Sequence, residues 1–167
     1  MQLEKTSAPL HPLQSTDQFK LPGVIAISFG HFIHDVYSSF LAPLLPLLIE
    51  KLSMTLTQAG LLSTVMQLPA LLNPLIGSMA DRISTRWFII LAPALTAVPM
   101  SLIGVAPSYG LLLLLMLLTG ISVSIFHVPA PVVVARMSGN RKGMGMSFFM
   151  VGGEAARAAG PMAEVGS

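Results

Sequence analysis

The chain has 167 residues and a formal net charge of +2, and only 10% of its residues are charged, whereas 53% are hydrophobic. A typical soluble domain carries about 25% charged residues, so the composition excludes an ordinary soluble domain and indicates a protein whose apolar faces are covered by lipid. The absence of cysteine excludes disulfides, thiol catalysis and thiolate metal sites. The basic residues lie between apolar segments and form no continuous stripe, so nucleic-acid binding is not expected.

Residues 1–20 are polar, contain prolines and lack the apolar core of a signal peptide, so they are predicted to form a disordered cytoplasmic tail. The remainder, residues 21–167, is predicted to form a transmembrane bundle of the all-α class. Five apolar segments are each long enough to cross a hydrocarbon core of about 30 Å. They cover approximately residues 21–49, 59–80, 87–106, 110–135 and 144–165.

The distribution of Lys and Arg predicts the orientation of these segments, because cytoplasmic loops carry an excess of both residues. An N-terminus in the cytoplasm places only Lys51 in an outer loop. The C-terminus is then outside. The basic residues on the inner side are Lys5, Lys20, Arg82, Arg86, Arg136, Arg141 and Lys142.

The first apolar segment contains an unexpected polar stretch, GHFIHDVYSSF, at residues 30–40. Ser28, His31, Asp35 and Ser38 are spaced 3, 4 and 3 residues apart, which places them on one helical face, and His34 lies beside them. A charge at the bilayer centre costs about 2.5 to 3.5 kcal/mol by insertion scales. The stripe is therefore expected to line a cavity within the bundle.

Further ionisable residues occur at a similar depth in later segments. At 1.5 Å per residue, Asp35 lies about 21 Å from the cytoplasmic end of its segment, and Glu154 and Arg157 lie about 15 and 20 Å from theirs. His127 lies about 13 Å from the inner end of the fourth segment. These residues are expected to share a band near the middle of the membrane.

Two interpretations of these groups remain open. In one, Asp35 or Glu154 pairs with Arg157, and a histidine supplies a titratable group for proton coupling. In the other, Glu154 and Arg157 form a local structural pair, and His127 satisfies carbonyls that the following prolines leave free. The candidate histidines are His31, His34 and His127.

A less favoured interpretation is that His31, His34 and Asp35 supply three ligands to one cation. No Ser-His or paired-Asp motif accompanies them, so an intramembrane hydrolase is not favoured. The favoured interpretation therefore includes no catalytic residue, no metal site and no cofactor, and the chain is not expected to be an enzyme.

The loop between the second and third segments reads GSMADRISTR, residues 77–86, with the pattern G-x-x-x-D-R-x-x-x-R. Gly77 permits close approach of two backbones. Asp81 is expected to cap the start of the next helix and to interact favourably with its dipole. Arg82 and Arg86 are expected to pair with Asp81 and to hold the loop inside the cell.

This loop resembles the signature loop of the major facilitator superfamily, which lies between the second and third helices of those transporters. Ser84 stands where the family usually has glycine, and Thr85 where it usually has a basic residue. The resemblance implies that Asp81, Arg82 and Arg86 form a latch that steadies one state of an alternating-access cycle.

The fifth segment contains GGEAARAAGP at residues 152–161, in which Gly152, Ala156 and Gly160 recur every four residues before Pro161. Small residues at this spacing allow two helices to approach closely. The stretch resembles the Gly-Pro motif in the fifth helix of major facilitator antiporters, with Ala156 in place of a glycine.

The strings GHFIHDVYSSFLAPLLPLLIEK, LLSTVMQLPALLNPLIGSMADR and MVGGEAARAAGP most resemble the fosmidomycin-resistance branch of this superfamily, which comprises drug exporters of the bacterial inner membrane. The resemblance implies secondary active efflux of a small molecule, coupled to protons. In the fourth segment Met116 and Thr119 replace the frequent Arg and Gln of the family. Proton coupling here would therefore need other groups.

The resemblance also implies two six-helix halves with the substrate between them. Because the chain supplies five segments, it is expected to be a truncated N-terminal half whose partners are the lipid bilayer, a small-molecule substrate and the missing C-terminal half. Two alternatives to drug efflux remain open. One is an inactive or structural membrane fragment, and the less favoured one is a metal-cation transporter that uses His31, His34 and Asp35.

Overall fold

The computed structural model describes residues 18–162, and every regular element within that range is helical. Eight α-helices are joined by short turns and two 3₁₀ segments, Leu68–Leu72 and Ile103–Val105. The α-helices are α1 (Leu21–Ser38), α2 (Leu41–Leu52), α3 (Leu56–Gln67), α4 (Asn73–Ala80), α5 (Thr85–Leu102), α6 (Tyr109–His127), α7 (Pro129–Met137) and α8 (Lys142–Met162). The predicted all-α membrane bundle is confirmed, whereas most of the predicted N-terminal tail lies outside the described residues.

These helices combine into membrane-length units. Four units are long and apolar enough to cross a membrane: Leu21–Leu52, Leu56–Ala80, Thr85–Val105 and Tyr109–Met137. The fifth unit, α8, is less apolar but has 21 residues, which gives it a length of about 31 Å. The chain is therefore built as a multi-pass membrane protein.

Three of the apolar segments are interrupted helices. The first turns at Ser39, between α1 and α2. The second tightens into a 3₁₀ turn that has Pro69 near its start, and the fourth breaks at Val128 directly before Pro129. Proline lacks an N–H and its ring clashes with the preceding helical turn. This accounts for the interruptions at Pro69 and at Pro129.

Two apolar clusters lie at opposite ends of the bundle, with a polar layer between them. The cluster near the α2–α3 turn includes Leu41, Leu48 and Met100, and the cluster near the start of α1 includes Val24, Ala92 and Phe126. On α1, α5 and α6 the residues between these clusters include buried polar side chains, namely Ser28, His31, His34, Asp35, Thr96 and Ser122. The polar layer therefore lies near the middle of the bundle.

The small residues of α8 allow it to pack closely on α1, which is its main neighbour. A Cβ atom on Gly152 would overlap the backbone carbonyl of Ser28, and Ala156, the next residue of the stripe, is fully buried. Gly160 and Pro161 continue α8, but their packing lies outside the described part of the chain. The crossing of α1 and α8 therefore leaves no room for a larger side chain at Gly152.

The predicted role of Asp81 as the cap of α5 is wrong. The backbone N–H of Asp81 bonds to the carbonyl of Gly77 at 3.1 Å, so the helical turn of α4 continues to Asp81 and places it at the C-terminal cap. The residue at the N-cap of α5 is Ser84. Within residues 18–162, Asp81 forms no ion pair with Arg82 or Arg86.

We predict that Gly152→Leu separates α1 from α8 and destabilises the fold, because the added side chain would meet the backbone of α1. Overpacking of this kind costs about 1–3 kcal/mol, so the apparent melting temperature in detergent should fall. Gly30→Leu is the matched control, since a Cβ there has no neighbour within 4 Å. Equal melting temperatures for the two variants would contradict the close contact.

Candidate functional site

A buried carboxylate on α1, Asp35, is the centre of the candidate site, with 3% of its surface exposed. Its Oδ1 atom lies 3.1 Å from Nδ1 of His34 and 3.1 Å from Nε2 of His127. Its Oδ2 atom lies 3.3 Å from Nη1 of Arg157 and 3.2 Å from Nε2 of His31. A charge in an apolar interior needs paired and hydrogen-bonded partners, and α1, α6 and α8 supply them here.

His31 is held by a backbone carbonyl of the neighbouring helix α8. Its Nδ1 atom donates a hydrogen bond of 2.8 Å to the carbonyl oxygen of Phe149, and the two rings stack with centroids 4.0 Å apart. Because a carbonyl can only accept, Nδ1 carries the proton. The other nitrogen, Nε2, is buried and has no hydrogen-bond partner among residues 18–162, although Oδ2 of Asp35 lies 3.2 Å away.

His34 differs from His31 because both of its ring nitrogens are engaged. Nδ1 bonds to Asp35, and Nε2 lies 2.9 Å from Oγ1 of Thr96 on α5. Thr96 donates to Oγ of Ser122 on α6 at 2.8 Å, and Ser122 donates to the carbonyl of Ala92. This polar chain connects Asp35 to α5 and α6 through buried side chains.

The guanidinium of Arg157 lies between two carboxylates. Nη1 donates to Asp35 and Nη2 donates to Glu154. The side chain of Arg157 is 51% exposed and that of Glu154 is 64% exposed, whereas Asp35 is buried. The sequence left open which carboxylate pairs with Arg157, and the structure places both on the same guanidinium.

Arg157 also borders a cavity of about 560 Å³, which falls in the size range of small-molecule sites. The polar residues that line it are Ser38, Ser39, Ser63, Gln67, Ser124 and Arg157. Ser38 therefore lies at the cavity, but its hydroxyl donates to the backbone carbonyl of Asp35 at 3.2 Å and not to another side chain. Of the charged cluster, Arg157 is the residue that lines this otherwise mainly apolar cavity.

The structure brings five of the ionisable residues suggested by the sequence into one cluster, together with Glu154 at its rim. Among the described residues, no hydrogen bond or ion pair joins this cluster to the loop residues Gly77, Asp81, Arg82 and Arg86. The loop and the cluster are therefore separate features of the fold.

Sequence reasoning missed three contributors to the cluster. Thr96 and Ser122 are polar residues within apolar helices, and this isolation is a signal that could have identified them. The carbonyl of Phe149 leaves no signal in the sequence, because every residue has one. Its role depends entirely on how α8 lies against α1.

A family model described as Major Facilitator Superfamily matches residues 27–164. The chain belongs to the major facilitator superfamily. Members of this superfamily are transporters and not enzymes, as expected from the sequence. The superfamily match covers all the residues that form the charged cluster.

Among curated proteins, this major facilitator chain is similar to the fosmidomycin resistance protein of Escherichia coli (strain K12), with 33% identity over 138 residues. An uncharacterised MFS-type transporter of Bacillus subtilis (strain 168) is 26% identical over 144 residues. These matches cover 82% and 84% of this chain but only 34% and 35% of the relatives. The chain therefore spans about a third of their length, and no solved structure gives a significant match.

We predict that Thr96→Val destabilises this major facilitator chain by about 1–3 kcal/mol, because it leaves the buried Nε2 atom of His34 without its hydrogen-bond partner and breaks the link to Ser122. The matched control is Thr119→Val, since Thr119 is equally buried but bonds only to the carbonyl of Leu115 in its own helix. Thermal unfolding in detergent should show a larger loss for Thr96→Val. A larger loss for the control would contradict the bridging role of Thr96.

Proposed function

We propose that this chain is the N-terminal part of a drug exporter that works by alternating access and is coupled to protons. The observation that carries the proposal is the buried carboxylate of Asp35, which is shared by α1, α6 and α8 beside a cavity of small-molecule size. The relative from Escherichia coli is described as a fosmidomycin resistance protein, which supports export of a small drug-like molecule.

Alternating access requires helices that can pack in two arrangements, with an equilibrium that ligand binding shifts. Asp35 fits this role, because its charge holds Arg157 on α8 and His127 on α6. Protonation of the carboxylate would weaken both contacts together, and each contact joins α1 to a different helix. A proton taken up near mid-membrane could thus change how three helices pack around the cavity.

The proposed location is the bacterial inner membrane, with the N-terminus in the cytoplasm. The excess of Lys and Arg on one side of the predicted segments supports this orientation. It places the turn between α2 and α3 outside and the turn between α7 and α8 inside.

Cysteine labelling can test this orientation without first removing native cysteines, because the chain has none. We predict that a membrane-impermeant maleimide labels Thr57→Cys in intact cells and labels Asn140→Cys only after permeabilisation. Both positions are exposed and flank the relevant turns. The reverse pattern would invert the proposed topology.

Transport requires the part of the relatives that this chain does not cover. We therefore predict that cells expressing the chain together with the remaining segment of the Escherichia coli relative export fosmidomycin, whereas either piece alone does not. Asp35→Asn should abolish export, because the neutral amide cannot hold Arg157 by charge. Glu50→Gln, at an exposed carboxylate on α2, is the matched control and should export normally.

Drug resistance, accumulation of drug in the cells and the amount of each variant in the membrane measure the outcome. Resistance conferred by the chain alone would contradict its proposed incompleteness. Normal export by Asp35→Asn at equal expression would remove the carboxylate from the mechanism. Absence of export from every combination would instead favour an inactive membrane fragment, which agrees with the coverage of about a third of the relatives.

A further inference from the structure

We propose that His31, Asp35 and His127 form a binding site for a divalent transition-metal ion of the zinc class. The ligand atoms of these three residues all lie within 4.8 Å of one another. Two imidazoles and one carboxylate form a donor set that zinc and other first-row metals use, with the remaining positions open to water. The proposal stands on this geometry and does not depend on the proposed export of drugs.

The buried Nε2 atom of His31 is the observation that most requires an explanation. Buried polar atoms normally have a hydrogen-bond partner, and an exception can indicate an ion at the site. Because Nδ1 donates to the carbonyl of Phe149, a neutral His31 presents a lone pair at Nε2. That lone pair lies 3.2 Å from Oδ2 of Asp35 and forms no hydrogen bond with it.

A metal ion accounts for both the distance and the missing hydrogen bond. Zinc lies about 2.0–2.1 Å from imidazole nitrogen and carboxylate oxygen, so two such atoms in a tetrahedral site are about 3.3 Å apart. In that arrangement the lone pair of Nε2 points at the metal and not at the oxygen. The contact between Nε2 of His31 and Oδ2 of Asp35 does not meet the geometry of a hydrogen bond.

His127 completes the site from α6. Its Nε2 atom lies 3.1 Å from Oδ1 of Asp35, close to the separation of two ligands on one metal. The side chain of His127 is 33% exposed, whereas those of His31 and Asp35 are each 4% exposed. An ion can therefore reach the buried ligands from the side of His127.

Neighbouring groups orient the proposed ligands through hydrogen bonds, as they do in known metal sites. A ligating histidine usually donates its second ring N–H to a carbonyl or a carboxylate, and His31 does so to Phe149. His34 lies 3.1 Å from Asp35 and orients that carboxylate. His34 itself is not a ligand, because Thr96 occupies its other nitrogen. The ligand set therefore differs from His31, His34 and Asp35, which the sequence suggested.

Arg157 is a competitor of the ion for the same carboxylate. Its guanidinium lies 3.3 Å from Oδ2 of Asp35 and carries a positive charge, which repels a metal cation. Because the Arg157 side chain is half exposed and also bonds to Glu154, it can leave Asp35 without losing every partner. Removal of the Arg157 charge should therefore strengthen metal binding.

Titration of the complete purified chain with Co²⁺ tests the site, because bound cobalt has a visible absorption that reports its nitrogen and oxygen ligands. We expect one Co²⁺ per chain, displaced by Zn²⁺. Outer partners of metal ligands are worth about 10–100-fold in affinity, so loss of a ligand in His31→Ala or His127→Ala should weaken binding by at least about 100-fold. His11→Ala, which removes a histidine of the N-terminal segment, is the matched control and should bind normally.

A second variant separates the site from a folding defect. Arg157→Gln should bind Co²⁺ several-fold more tightly than the unsubstituted chain, and a misfolded protein would not show such a gain. The proposal is overturned if the unsubstituted chain does not bind Co²⁺, if His31→Ala or His127→Ala binds normally, or if Arg157→Gln binds more weakly. Because these readouts measure binding alone, their failure is distinguishable from a failure of drug export.

Discussion

The carboxylate of Asp35 imposes a constraint that the rest of the bundle satisfies. A charge transferred into an apolar interior costs several kcal/mol unless partners compensate it. The fold supplies His34 from the same helix, His127 from α6 and Arg157 from α8. The positions of α6 and α8 relative to α1 are therefore tied to one buried group, so the cluster both joins three helices and forms the candidate site.

Close packing of helices makes this convergence possible. Gly152 allows α8 to approach the backbone of α1, and Gly120 allows α6 to approach the carbonyl of Met66 on α3. In lipid, burial of apolar side chains contributes little to the association of helices. Close packing at small residues and interhelical hydrogen bonds stabilise it instead. The two apolar clusters then enclose the polar layer from both ends. Arg157 links this layer to the neighbouring cavity, which it also lines.

Arg157 and His31 are held beside Asp35 by different means, and this difference matters for what the carboxylate can exchange. Arg157 is permanently charged and lies at the exposed rim, whereas His31 is enclosed and fixed by a carbonyl. In our two proposals, a proton or a metal ion competes with the guanidinium of Arg157 for the carboxylate of Asp35, and each places the charge at a different point. Under those proposals, replacing one by another would change whether α6 or α8 is held to α1. An exchange of this kind is the chemistry that a membrane transporter can use.

The fold class, the polar face of the first helix and the superfamily could all be predicted from the sequence. Low charge and five long apolar segments determined the all-α membrane class, because lipid tolerates only internally satisfied backbones. The spacing of His31, His34 and Asp35 identified one polar face, since helical periodicity is local. The loop at residues 77–86 indicated the superfamily, although the extent of α4 shows that Asp81 does not cap the next helix.

Only the tertiary structure decided how residues far apart in the chain share the carboxylate. His127 and Arg157 are separated from Asp35 by 92 and 122 positions, and their contacts depend on where α6 and α8 cross α1. The carbonyl of Phe149 distinguishes His31 from His34, although both residues look alike in the sequence. Backbone groups and helix crossings have no signature in residue type. The sequence therefore determined the candidates, and packing decided which partners each one contacts.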